Sequence, residues 1–382
     1  MKSVRISRRL AGAVVLFGLS ATAAWAQGAA TPAGDPVKVG VIVSTTGAGA
    51  GLGIPERNGL LLAEKDINAK GGINGRPLKL IVEDDASNPD TALSKANDLV
   101  FGQKVVALIG PSMTASTVAV GGVTHANKIP QIAFTGLGPA IERDRKCLAH
   151  ILPPQKLNAQ ALLEYAKEIK ATKLGVLHDA GYGAVVLAEL KPMLDKYGVK
   201  LVAVEKFEIG ATDTTTQAAK VKAAQPDAVL IIATSATPFR NVRQIQMTQP
   251  VIAAIGSSSY EYVNAMGVGA NNVVIPEFLV GEDPLPSQKD FVETYKKAYN
   301  ATPKNFEAAA WDAAHLLAAA IAKAGPDAGG EKICEAMRQP YTGVMASYNF
   351  GADDLTGIPM SSYVYSKLVD GKYTRTPFRV AP

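Results

Sequence analysis

Two kinds of apolar pattern alternate along the chain. Short, mainly apolar runs, such as residues 37–44, 105–109, 129–134, 173–178 and 228–233, read as strands buried in a parallel sheet. Between them lie stretches with apolar residues on one side of a 3.6-residue period. The first, residues 56–68, carries Leu60, Leu61, Ala63 and Ile67 and predicts a helix. Further helices are expected from near Thr91, through 118–127, and over 157–170, 184–197, 214–224, 240–247, 288–299 and 306–323, and further strands at 78–83, 200–207 and 251–255. Residues 347–350 and 362–368 read as strands, with Asp353 and Asp354 in an acidic turn between them.

Such alternation predicts βα units, and 382 residues exceed one ordinary core. The expected fold is α/β, two doubly wound α/β lobes with a central ligand cleft and hinge strands. Residues 143–154, polar and then ended by Pro153 and Pro154, read as a passage between lobes, and residues 273–280, with Pro276 inside, read as another. The expected division is 1–26 signal peptide, 36–150 plus 283–345 as lobe 1, and 151–282 plus 346–382 as lobe 2.

Composition narrows the function. Hydrophobic residues make up 47% and charged residues 19% of the chain, which excludes a disordered protein. The formal charge of +5 owes four positive charges to Lys2, Arg5, Arg8 and Arg9. These precede an apolar run at 10–19 and Ala24-Trp25-Ala26, the layout of a secretory signal peptide. Without that segment the protein is nearly neutral, so a nucleic-acid partner is not expected. Export also permits a disulfide, although the sequence does not show whether Cys147 and Cys334 meet. His125, His150, His178 and His315 are scattered singly, so no metal and no cofactor is expected.

Candidate chemistry gathers where strands end. After 105–109 comes Gly110-Pro111, then Ser112, Thr114, Ser116 and Thr117 ahead of a small apolar run, which makes a strand, a tight turn and a helix N-terminus. Free backbone N–H groups and hydroxyls there suit a carboxylate, while Ser112 or Thr114 could equally be a plain helix cap. Thr135 and Gly136 close the next strand, and Ser235 and Thr237 follow 228–233. The glycine-rich loop at 45–53 raises the question of a dinucleotide. Its spacing fails, because the third glycine position falls on Leu52 or on Ile54. No serine lies in a nucleophile elbow, so an exported enzyme has little support.

The segments VKVGVIVSTTG, ERNGLLLAEKDINAKGGINGRPLKLIVEDDASNPDTA, VVALIGP, LGVLHDAGYG, GATDTTTQAAKVKAAQPDAVLI and AAAWDAAHLLAAAIAKAG resemble the periplasmic branched-chain amino acid binding proteins, from about Val37 to Val369. The resemblance implies a monomer in the periplasm, not an enzyme, that closes by hinge motion over a small-molecule carboxylate or amino acid and passes it to an ABC transporter permease in the inner membrane. A sensory protein that reports to a receptor would share the same binding physics. By position the ligand carboxylate is expected on Ser112, Met113, Thr114 and Ala115 and on Thr135, Gly136 and Leu137, where the family usually has Thr at the last. Tyr182 is expected to close from the other lobe, and Leu52 and Ser235 complete the candidate set. The family's acidic residue for the ligand ammonium aligns with Ser258, and no carboxylate stands there. Either another acid such as Glu261 or Glu307 takes that part, or the ligand is an aromatic or keto acid without an ammonium.

Overall fold

The computed structural model describes Met1 and residues 32–325, 328–351 and 356–380. The expected signal peptide and the Asp353-Asp354 turn lie outside the described residues. The first part of the chain runs β1 (Val37–Val43), α1 (Ala50–Ala69), β2 (Leu78–Asp84), α2 (Pro89–Asn97), β3 (Ala107–Ile109), α3 (Thr114–Ala126), β4 (Gln131–Ala133), α4 (Pro139–Glu142) and β5 (Leu148–His150). The second runs α5 (Gln155–Glu168), β6 (Lys173–Asp179), α6 (Tyr182–Leu190), α7 (Leu194–Tyr197), β7 (Lys200–Phe207), α8 (Thr215–Ala223), β8 (Ala228–Ile232), α9 (Thr237–Gln244), β9 (Val251–Ala253), α10 (Tyr260–Met266) and β10 (Val273–Glu277). The remainder is α11 (Lys289–Tyr299), α12 (Asn305–Ala324), α13 (Gly330–Met337), β11 (Tyr341–Thr342), β12 (Ser347–Tyr348), β13 (Val364–Val369) and β14 (Lys372–Arg375).

Two main sheets result. One is parallel throughout, in the order β2-β1-β3-β4-β5. The other has the order β14-β13-β10-β9-β8-β6-β7, parallel except for β13 and β14. Every residue of β3, β8 and β9 is buried, as their unbroken apolar runs require when helices cover both faces. The expected α/β architecture in two lobes is therefore present. The chain passes between the sheets three times, at residues 151–154, at residues 278–288 and between β12 and β13.

Three local readings are corrected. The stretch 143–154 is not all connection, because residues 148–150 hydrogen-bond to β4 as the edge strand β5. The stretch 273–280 is not all passage either, because residues 273–277 form β10 with Pro276 inside it: β9 reaches only Val273 and Val274, so the N–H that proline lacks is not needed there. Helix α1 begins at Ala50, not Glu56, and includes Gly51, Gly53 and Pro55. Intrinsic propensity opposes that start, and tertiary packing overrides it. A Cβ on Gly51 would fall 2.5 Å from the ring of Tyr262, so glycine there admits the tyrosine of the other lobe. The Tyr262 hydroxyl then donates to the Ala48 carbonyl at 3.1 Å across the cleft.

Helix α12 packs along α1 and places lobe 1's covering layer far from its strands in sequence. Cys147, just before β5, is bonded to Cys334 on α13, 187 residues on. Cys147→Ser combined with Cys334→Ser is expected to cost about 3 kcal/mol of stability, mainly by freeing the unfolded chain. Urea unfolding checks this, and a loss below about 0.5 kcal/mol would show that the bridge is idle.

Candidate functional site

In each sheet the strand order reverses once beside the first strand, between β1 and β3 and between β6 and β8. Ligands of open α/β sheets bind outside the strand ends at such reversals. Ser44 follows β1 and Ser112 follows β3, and the Ser44 amide donates to Ser112 Oγ at 3.0 Å. Tyr182 follows β6 and Thr234 follows β8, and Asp179 joins their loops. Its Oδ1 accepts from the Gly181 and Gly183 amides at 2.9 and 2.8 Å, and its Oδ2 accepts from the Thr234 amide at 2.9 Å.

The turn after β3 is tight because Gly110 has φ +98° and precedes a cis peptide to Pro111, and a Cβ on Gly110 would collide with the Ile42 carbonyl. That turn aims α3 into the cleft. Its N-cap residue is Met113, and no side chain caps it. Neither Ser112 nor Thr114 is spent on the helix end, so the first N–H groups of α3 remain for an anion. Thr114 Oγ1 lies 3.2 Å from Thr135 Oγ1 of the neighbouring strand end, which makes a hydroxyl pair at this terminus. Gln155, at the start of α5, donates to Thr135 Oγ1 at 3.4 Å and to the Gly136 carbonyl at 3.2 Å.

A cavity of about 100 Å³ lies between the lobes at this point. Leu52, Ser112, Met113, Thr114, Ala115, Thr135 and Tyr182 of the expected set all stand in its wall. Apolar surface comes from Phe134, Leu152, Pro153, Ile209, Ile255 and Phe306. The Tyr182 ring is fitted to Gly256, where a Cβ would come within 3.0 Å of Tyr182 Cε1. Its hydroxyl is buried without a hydrogen-bond partner among the described residues.

The other expected residues lie elsewhere. The Leu137 amide donates to Glu142, which also pairs with His150 at 3.0 Å, so that loop turns its N–H inward. Gly136 is behind the wall, packed on His150. Ser235 Oγ accepts from the Thr237 amide at 3.2 Å in a local turn. Ser258 is fully buried, where its Oγ accepts from Asn305 Nδ2 at 3.1 Å and its carbonyl accepts from the Tyr373 hydroxyl at 2.5 Å. It belongs to the seam between β10 and α12, not to the cavity. Glu261 and Glu307 are not in the wall either. Glu307 Oε2 accepts from the Lys304 amide at 2.9 Å at the start of α12.

One acid in the wall escaped the sequence reading. Glu56 of α1 is fully buried, and its Oε2 accepts from the Ser112 hydroxyl while Oε1 has no partner among the described residues. Burial pushes its carboxyl well above the usual range, Asp85 and Glu307 push the same way, and the Ser112 hydrogen bond opposes them. The available signal is positional. Glu56 precedes Leu60 by four residues and so shares the apolar stripe of the helix expected over 56–68.

Known proteins share this architecture. Residues 36–371 match the family described as periplasmic binding protein. The "amino acid binding protein" of Pseudomonas aeruginosa is 28% identical over 360 residues, covering 92% of this chain and 95% of its own. The "leucine-, isoleucine-, valine-, threonine-, and alanine-binding protein" of the same organism is 26% identical over 369 residues, with 92% and 95% covered. Among solved structures, an extracellular ligand-binding receptor from Rhodopseudomonas palustris HaA2 superposes with a TM-score of 0.80 at 27% identity, covering 90% of this chain and all of that one. With its paired α/β lobes and a cavity at both strand reversals, the chain belongs to the type I periplasmic binding protein family, whose members are binding proteins and not enzymes.

Proposed function

We propose that this protein is the solute-binding component of an ABC uptake system and captures a small carboxylate with an apolar body. The observation that carries this reading is the Thr114–Thr135 hydroxyl pair, 3.2 Å apart, at the uncapped N-terminus of α3 inside a cavity whose lining surface is mainly apolar. Hydroxyls and helix amides neutralise an anion, and the apolar wall takes the rest of the ligand. Tyr182 belongs to the opposite lobe, so full contact with the ligand requires both lobes, as hinge closure does. The family places the protein in the periplasm or outside the cell, and a monomer that docks on a permease in the inner membrane fits that setting. Among the described residues the wall holds no His, Cys or Lys, and burial pushes the one acid beside Ser112, Glu56, toward its neutral form, which favours capture over catalysis.

Denaturing the purified protein and identifying the released ligand by mass spectrometry tests this directly. In a thermal-shift screen, a true ligand at a hundredfold excess over Kd should stabilise the fold by roughly 2.7 kcal/mol. Thr114→Val is expected to weaken any carboxylate ligand by roughly tenfold to a hundredfold, the worth of one hydrogen bond to a charge. Unchanged affinity would show that the anion binds elsewhere.

A further inference from the structure

The cavity has two poles of opposite character. Thr114, Thr135 and the start of α3 present donors, whereas Glu56 presents an acceptor with one oxygen unpartnered. No Lys, Arg or His stands in the wall to answer that carboxyl. Ser112 holds Glu56 against the turn that also carries Thr114, two residues on. An α-amino acid bears its ammonium one carbon from its carboxylate, so its two charges need an acceptor and donors placed side by side.

We propose that Glu56 is the specificity-determining residue of the cleft, receiving the ligand's ammonium on its free oxygen and so selecting zwitterionic α-amino acids. This rests on the cleft being the carboxylate site described above. It gives the ammonium a partner from lobe 1 in place of a carboxylate at 256–259. The groups facing Glu56 make the assignment consequential. Asp85 after β2 and Glu307 of α12 favour its neutral form, as does burial, and Tyr262 faces it from α10. Glu261 of α10 acts on Glu307, and Lys304 at the start of α12 is engaged by Glu277 at 2.6 Å. An incoming ammonium favours the carboxylate, so the carboxyl proton leaves to solvent as the ion pair forms. The ligand keeps its three ammonium protons, and one proton is released per ligand bound.

The test is isothermal titration of the full-length mature protein with matched pairs, L-leucine against 4-methyl-2-oxopentanoate and L-phenylalanine against phenylpyruvate. It is run at pH 7 in phosphate and in Tris. The expected result is binding of an amino acid but not of its keto partner, with buffer-dependent heats showing proton release. Glu56→Gln should weaken the amino acid at least a hundredfold and abolish the release, and circular dichroism confirms that the variant is folded. Amino-acid binding that is untouched by Glu56→Gln, or that releases no proton, overturns the proposal. Binding of the keto acids in preference also overturns it, while leaving the carboxylate cleft intact. If Thr114→Val is without effect on whichever ligand binds, it is the cleft assignment itself that fails.

Discussion

Stability of the protein without ligand is expected to fall by several kcal/mol as the pH rises from about 4.5 to about 7.5. Burial pushes up three carboxyls, those of Asp312, Glu307 and Glu56. Asp312 accepts from the Val344 amide at 2.6 Å, the Met345 amide at 2.8 Å and the Tyr348 hydroxyl at 2.9 Å, yet burial outweighs these donors and pushes it up to about 7. Glu307 is pushed up to about 7 by burial, against the backbone groups at the start of α12, and Glu56 goes well above its ordinary value. In the unfolded chain such groups lose their protons near pH 4, so between there and pH 7 the folded state holds more protons. Stability therefore falls with rising pH in that window, is fully present below it, and levels off for Asp312 and Glu307 above 7. At 1.36 kcal/mol per pH unit, each of those two groups contributes about 3 kcal/mol to the fall. Glu142 works the other way, since His150 and the Leu137 and Gly138 amides hold its carboxyl below the usual range despite burial, so stability also declines in strong acid. The optimum should lie near pH 4 to 5. Urea midpoints at pH 5 and pH 8 decide the matter, and equal or greater stability at pH 8 would contradict these proton assignments.

The second large effect concerns the seam between the lobes. Lys304 and Glu277 are wholly buried, with Nζ 2.6 Å from Oε2, and the ammonium lies 3.2 Å from the centre of the Tyr373 ring. Burial pulls the ammonium's pKa down and Glu277 pulls it back up. Asn305 adds an Nδ2 bond to Glu277 at 3.0 Å, and its Oδ1 accepts from the Phe278 and Leu279 amides at 2.8 and 3.0 Å. The pair thus joins the end of β10 to the start of α12, on either side of the second passage between sheets. Lys304→Met should cost about 3–5 kcal/mol, because it strands a buried carboxylate. Lys304→Met with Glu277→Gln should recover most of that loss, since two neutral groups carry no such penalty. A double-mutant cycle by urea unfolding measures both, and a single-variant loss under about 1 kcal/mol would show that water reaches Glu277.

How much of this could be read from the chain varied with the range of the interactions involved. Strands such as β8, apolar without interruption, and the apolar stripe of α12 announce themselves within a few residues, and with them the two-lobed α/β fold. Thr114 and Thr135 were legible as hydroxyls at strand ends, outside which open parallel sheets bind ligands, and Tyr182 through the resemblance of its turn to the family's. Ser258 was expected in the site because the family's acidic residue aligns with it. Its true partner, Asn305, lies 47 residues away and leaves no local mark. Leu137 was displaced by Glu142, whose carboxylate claims its amide. Glu56 fell inside the helix expected over 56–68, but its place in the cavity wall depends on Ser112, 56 residues away, and leaves no local mark.

The packing of α12 on α1 also sets an order of events during synthesis. Residues up to β5 hold every strand of the first sheet, but α11, α12 and α13 follow more than a hundred residues later. As the chain emerges, α1 can pack on β1 and β2, but the part of its surface that α12 covers has no partner until the second lobe's strands have appeared. Cys147 likewise waits for Cys334. The second lobe has most of its strands in one continuous stretch and can begin to assemble first, so the half of the protein made earliest is the half that must finish late.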